Sequence, residues 1–197
     1  MKAFVPVLLG LCLLGATAQA KPAKQRKPTS RDLAKVKELL TGRELVPKKT
    51  FQVALKGAGT CLFAPAMDYK VSPPLQLHLI QGGQIAHTLA STKADKAWPV
   101  LRFENVQFQD VNEDGFEDVL TLTRYLPVVG PRAGKAFNQA GVYLSKQGKA
   151  FELAPPEVHE TLNQSPPSSL GEVVKRLKKV DRQKLAVPVQ VSATPKP

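Results

Sequence analysis

The chain has 197 residues, a net charge of +12 and two cysteines, enough length for one domain and too few thiols for a disulfide framework. The charge is not laid out like a nucleic-acid footprint. Residues 21–50 carry ten Lys/Arg against three Asp/Glu, residues 51–170 ten against eleven, and residues 171–197 seven against two, so a near-neutral body has two basic ends.

The N-terminus reads as a secretory signal peptide over residues 1–20. Lys2 gives the positive start, Val5 to Leu14 the apolar run, and Ala18-Gln19-Ala20 the small-x-small cleavage pattern. The run is too short to span a bilayer, and no later stretch is long and apolar enough. A lipoprotein alternative at Cys12 lacks the small residue a lipobox needs, because Leu11 precedes it. The expected location is therefore periplasmic or secreted. After cleavage only Cys61 remains, in an apolar Cys-Leu-Phe setting that reads as a small buried hydrophobe.

Residues 21–50 read as a basic flexible segment with one short helix. Lys21 to Pro28 is rich in Lys and Pro and is expected to be disordered. Thr29 to Asp32 fits a capping box, Leu33, Val36 and Leu40 follow at helical spacing, and Gly42 can end the turn. Residues 51–154 read as a β domain. Phe51, Val53 and Leu55 alternate, as do Leu75, Leu77 and Leu79. Gly82-Gly83 predicts a two-residue hairpin turn. Further strands are expected over Val100 to Phe108, Val119 to Tyr125, Gly141 to Leu144 and Ala150 to Leu153. Residues 155–168, with two Pro-Pro pairs, read as a linker. Residues 169–185 predict a basic amphipathic helix, with Leu170, Val173, Val174, Leu177 and Val180 on one face. That face suits docking on the chain's own domain, with a membrane-surface helix as the alternative. Residues 186–197 read as a flexible tail. The fold class is mainly β, a small antiparallel sandwich or open barrel with short helices at each end.

The most informative stretch is Asp110-Val-Asn112-Glu-Asp114-Gly115-Phe116-Glu-Asp118. Oxygen side chains fall at loop positions one, three, five and nine, with glycine at six. Calcium is a hard cation that takes six to eight oxygens, and such spacing offers them from alternating positions. Asp110, Asn112, Asp114, the carbonyl of Phe116 and Asp118 are the expected Ca2+ ligands, and Glu113 and Glu117 are expected to point outward. Position twelve is Thr121 rather than a bidentate Glu, and the flanks read as strands, so this is not an EF-hand. A metal-free turn built on Asx bonds is the bland alternative.

Together with Ala140-Gly141-Val142-Tyr143-Leu144, this stretch resembles an FG-GAP/VCBS-type calcium-loop repeat. The resemblance covers roughly residues 75–153 and is closest to small single-module periplasmic proteins, a unit like one propeller blade. It implies a calcium-stabilised module, and some members of that group inhibit peptidoglycan hydrolases or lysozymes. Lysozyme inhibitors usually carry a Ser-Gly loop, and none occurs in this sequence.

Two histidines form a second constellation. If Gln81 pairs with Gln84 across Gly82-Gly83, His78 falls opposite His87, where two imidazoles could hold a transition metal or sense pH. A zinc site needs further ligands, and no third is evident. No Gly-x-Ser-x-Gly or His-Glu-x-x-His motif occurs, so the chain reads as not an enzyme. Aromatic residues make up 6% of the chain, too few near the basic ends for a nucleic-acid stacking platform. The expected function is an exported, non-catalytic calcium-binding module for a protein or glycan partner of the envelope, an inhibitor of a cell-wall hydrolase being the sharpest version. The alternatives are an envelope hydrolase with a fold-assembled acid pair and a surface module drawn to anionic polymers by its basic ends.

Overall fold

The computed structural model describes residues 21–186. The signal-peptide reading of 1–20, and all of the expected tail but Ala186, lie outside the described residues.

Two antiparallel sheets build the molecule. The first contains β1 (Gln25–Arg26), β2 (Glu44–Leu45), β3 (Phe51–Leu55), β4 (Gly59–Met67), β5 (Leu75–Gln81) and β6 (Gln84–Thr88), in the order β1-β3-β4-β5-β6 with β2 also paired to β4. The second is a four-stranded meander of β7 (Val100–Gln109), β8 (Asp118–Tyr125), β9 (Phe137–Ser145) and β10 (Phe151–Leu153). Neither sheet closes into a barrel, and the two share one core as a small β sandwich, as the fold class expected.

The side-chain pattern shows why the sheets stack. Phe63 and Leu79 from the first sheet meet Phe103, Phe108, Val119 and Tyr143 from the second in one buried core. Phe63 is fully buried, with its ring centroid 5.9 Å from Phe103 and 5.5 Å from Phe108. The outer faces are covered as well. Helix α1 (Ser30–Leu39) places Val36, with the adjacent Leu40, on Ala64, Ala66 and Ile80 of the first sheet. On the second sheet, Leu120, Leu122, Val142 and Leu144 pack under α3 (Pro156–Asn163) and α4 (Leu170–Leu177). Four layers result, helix on sheet on sheet on helices. This explains why β8 is buried at nearly every position, where a one-sided strand would alternate.

Local sequence fixes the helix ends. Thr29 and Asp32 form the expected reciprocal capping box on α1. Ser169 caps α4, while Glu172 reaches back one residue further, accepting from the Ser168 N–H at 2.7 Å. The apolar stripe of α4 docks on its own domain, with Leu170, Val173, Val174 and Leu177 buried.

Two expectations need correction. Residues 21–28 are partly ordered by pairing. β1 lies against β3, and the Ala23 N–H donates to the Phe108 carbonyl at 2.7 Å, so backbone bonding recruits a segment whose composition suggests disorder. The 155–168 segment is largely not a linker, because its second proline opens α3. Proline is tolerated at the first helical position, where its missing N–H costs nothing, and Val158 and Leu162 then bury one face. The sequence reading also passed over β4 and the short helix α2 (Lys93–Ala97).

The two sheets touch at their turns. A Cβ on Gly57 would stand 2.2 Å from the Gln147 carbonyl oxygen, and one on Gly148 would stand 2.3 Å from the Lys56 carbonyl oxygen. Only glycine allows the β3–β4 and β9–β10 turns to approach so closely.

Candidate metal centre

The β7–β8 connection, residues 110–117, is wound by its own side chains. Asp110 Oδ1 accepts from the Glu113 N–H at 2.6 Å, and its Oδ2 from the Gly115 N–H at 2.9 Å. Asp114 Oδ1 accepts from the Phe116 N–H at 2.9 Å, and its Oδ2 from Asn112 Nδ2 at 3.1 Å. The Asp114–Phe116 bond is an Asx turn, and Asn112 Oδ1 makes another by accepting from the Asp114 N–H at 3.3 Å, while Asp110 spans the wider loop. Gly115 sits at φ +86°, the left-handed region that costs a side-chain-bearing residue most.

Asp118, the first residue of β8, anchors the loop. It has no solvent exposure, its Oδ2 accepts from the Val111 N–H at 2.9 Å, and its Oδ1 from the Ser145 N–H at 2.8 Å. Burial pushes its carboxyl up to about 7, against the pull of those two backbone donors, and the nearby Asp114 and Asp110 raise it further. The loop's rim is held from outside. Arg182 makes a two-pronged ion pair with Glu113 at 2.6 and 2.8 Å, and Asn112 Nδ2 donates to the Leu185 carbonyl at 3.3 Å. Both partners belong to a 3₁₀ turn, Arg182–Leu185, that follows α4. Glu117 does not simply point outward, because its Oε2 accepts from the Lys56 N–H at 2.7 Å. The Lys56 ammonium lies over the Phe116 ring, 5.0 Å from its centroid.

The donor set of Asp110, Asn112, Asp114, Asp118 and the Phe116 carbonyl is all oxygen, which suits a hard cation and not a thiophilic one. Among the described residues no three His, Cys, Asp or Glu side chains gather as a metal cluster. The loop's carboxylates instead hold its own amides, and each carboxylate oxygen keeps a second lone pair for a cation.

The Gly-x-Tyr stretch has a steric reason. A Cβ on Gly141 would stand 2.6 Å from Thr121 Oγ1, the residue at loop position twelve. Below this point lies a small polar pocket where Tyr125 donates to Asp95 Oδ1 at 2.6 Å. Beside it, a cleft of about 720 Å³ between α2 and α3 is walled by Trp98, Leu144, Leu153, Pro155 and Pro156.

The expected histidine pair does not form. Gln81 does pair with Gln84 and Ile80 with Ile85, but Leu79 then pairs with His87 and His78 with Thr88. Ala86 is the extra residue of a β-bulge, which shifts the register by one. His78 is buried, with Nδ1 2.9 Å from Thr88 Oγ1 and Nε2 3.4 Å from Arg43 Nη1. Arg43 in turn pairs with Asp68 at 3.3 Å. The His87 ring packs edge-on against Phe151. The third histidine has partners that the sequence did not reveal. His159 Nε2 accepts from the Val142 N–H at 3.1 Å, and Asn163 bonds both the N–H and the carbonyl of Ala140. Two side chains of α3 thus satisfy the β9 edge that the short β10 leaves unpaired.

Burial and the Arg43 charge hold His78 down at about 4 from an ordinary 6.5. The neutral ring's contribution is full above pH 6.5 and is lost as pH falls toward 4, because the unfolded chain takes up the proton first. Urea unfolding should show His78→Gln losing on the order of 2 kcal/mol less than the parent between pH 7 and pH 4.5. Parallel losses in both proteins would contradict this.

No known protein family, curated protein or solved structure matches this chain.

Proposed function

We propose that this chain is an exported, non-catalytic envelope module, stabilised by one calcium ion in the 110–118 loop, that binds a protein or glycan partner. The observation that carries the calcium reading is Asp118. Its carboxylate has no exposure and lies near Asp110 and Asp114 without a cationic side chain bonded to it. A divalent ion would offset both the burial and the mutual repulsion. Asp110, Asn112, Asp114, Asp118 and the Phe116 carbonyl would hold it, with water completing the shell. Its role is to lock the turn between β7 and β8, and through Asp118 and Ser145 to tie that turn to β9.

Calcium sites in extracellular modules have dissociation constants of about 10⁻⁴–10⁻³ M. At several millimolar calcium, mass action then adds roughly 1–2.5 kcal/mol, a rise in melting temperature of about 3–8 °C for a chain of this size. Chelator should reverse the rise, and Asp114→Ala should abolish it while leaving the chelated melting point nearly unchanged. A melting point indifferent to calcium and chelator would remove the assignment.

The partner half of the reading rests on the signal-like N-terminus, the absence of recognised catalytic motifs and the single-module resemblance. Its sharpest form is inhibition of a cell-wall hydrolase. Purified lysozymes and peptidoglycan hydrolases, assayed on cell-wall suspensions with stoichiometric protein, should include one that is slowed. If none is slowed and the protein sediments with no peptidoglycan, that half is wrong.

A further inference from the structure

Lys21, at the start of the N-terminal basic segment, is brought beside the basic helix α4, although the two are distant in sequence. The N-terminal segment runs along β7, with the Ala23 N–H bonded to the Phe108 carbonyl and Gln25 Nε2 to the Val106 carbonyl at 3.1 Å. Helix α4 packs on the same sheet through its buried stripe. Between them opens a groove of about 410 Å³, lined by Lys21 and Pro22 on one side, by Gly171, Val174, Lys175 and Lys178 on the other, and by Gln107 and Gln109. Residues 171, 174, 175 and 178 share one helical face. No carboxylate is among the residues lining this groove, although Lys178 also borders the neighbouring groove that contains Asp110 and Glu113. Its helical wall is low at Gly171, where an added Cβ would meet nothing closer than Ser169 Oγ at 3.8 Å.

We propose that this groove binds a linear phosphate-bearing polymer, such as an anionic wall or envelope polymer, lying between the N-terminal segment and α4. Lysines on both walls neutralise successive phosphates. A membrane surface is a poorer occupant, because the apolar stripe of α4 is already buried in the domain and, among the described residues, none of the exposed large hydrophobics lines this groove. A nucleic acid is poorer too, because no aromatic ring lines the groove for bases to stack on. The site is independent of the calcium loop reading.

The test uses the purified chain and long-chain inorganic polyphosphate, followed by fluorescence anisotropy at several salt concentrations. Gly171→Glu and Gly171→Lys place opposite charges in the groove at a position with space for either. Gln84→Glu and Gln84→Lys make the same changes at the exposed β5–β6 turn, on a different sheet. The proposal expects salt-sensitive binding, about tenfold weaker in Gly171→Glu than in Gly171→Lys, with the Gln84 pair within about twofold of each other. Circular dichroism should show all four variants folded. No binding would overturn the proposal. So would equal shifts at positions 171 and 84, which would mean attraction by net charge alone. Tighter binding to single-stranded DNA, or to phosphatidylglycerol vesicles at equal phosphate, would also overturn it and assign the groove to that other surface.

Discussion

Phe63→Ala is expected to lower stability by about 3–5 kcal/mol, a large share of what a domain of this size has. Phe63 has no exposed surface and lies in the core where the two sheets meet, against Phe103 and edge-on to Phe108. Its removal takes away a buried ring and leaves a cavity that strands on both sides cannot close without moving. Phe63→Leu keeps most of the volume and should cost about 1–1.5 kcal/mol. Val129→Ala, at a side chain that is 78% exposed, should stay within about 0.5 kcal/mol of the parent. Urea unfolding of the three variants checks the ranking. A cost below about 1 kcal/mol for Phe63→Ala would mean the sheets are not packed face to face.

Asp118→Ala is the second large effect, expected at about 2–5 kcal/mol in chelator-containing buffer. The loss comes from two backbone donors left without their acceptor, the buried Ser145 N–H and the part-buried Val111 N–H. Asp118→Asn separates this structural role from the electrostatic one. Its amide keeps one acceptor and removes a buried charge that Asp110 and Asp114 disfavour, so its metal-free stability should fall within about 1 kcal/mol of the parent. It should nevertheless lose the calcium-induced rise in melting temperature. If the asparagine variant keeps that rise, Asp118 is not a ligand. If the alanine variant is as stable as the parent, the anchor between β8 and β9 is not bearing load.

The sequence made some of this structure legible and hid the rest for physical reasons. Strand alternation was plain at Phe51, Val53 and Leu55, and at Leu75, Leu77 and Leu79, because every second residue faces one core. The Gly82-Gly83 turn was equally plain, yet the register beyond it was not. One extra residue at Ala86 moves His78 from His87 to Thr88, and nothing in the alternating pattern marks such an insertion. Helix α3 was masked by its prolines, though Pro156 at the first helical position with Val158 and Leu162 four apart was a readable signal. β1 was invisible because two residues pair through backbone alone. In the loop, Asp and Asn positions with Gly115 announced a tight oxygen-rich turn. The clamp from Arg182 to Glu113 could not be read, since the residues are 69 apart and only the fold brings them together.

Calcium binding at the loop is tested most directly by two-dimensional amide NMR during a calcium titration. The account predicts saturating shifts at the Glu113, Gly115 and Phe116 amides and at Ser145, with the rest of both sheets nearly still. Spectra that do not move at these positions up to about 10 mM calcium, tenfold above the weakest affinity expected for such a site, would contradict it.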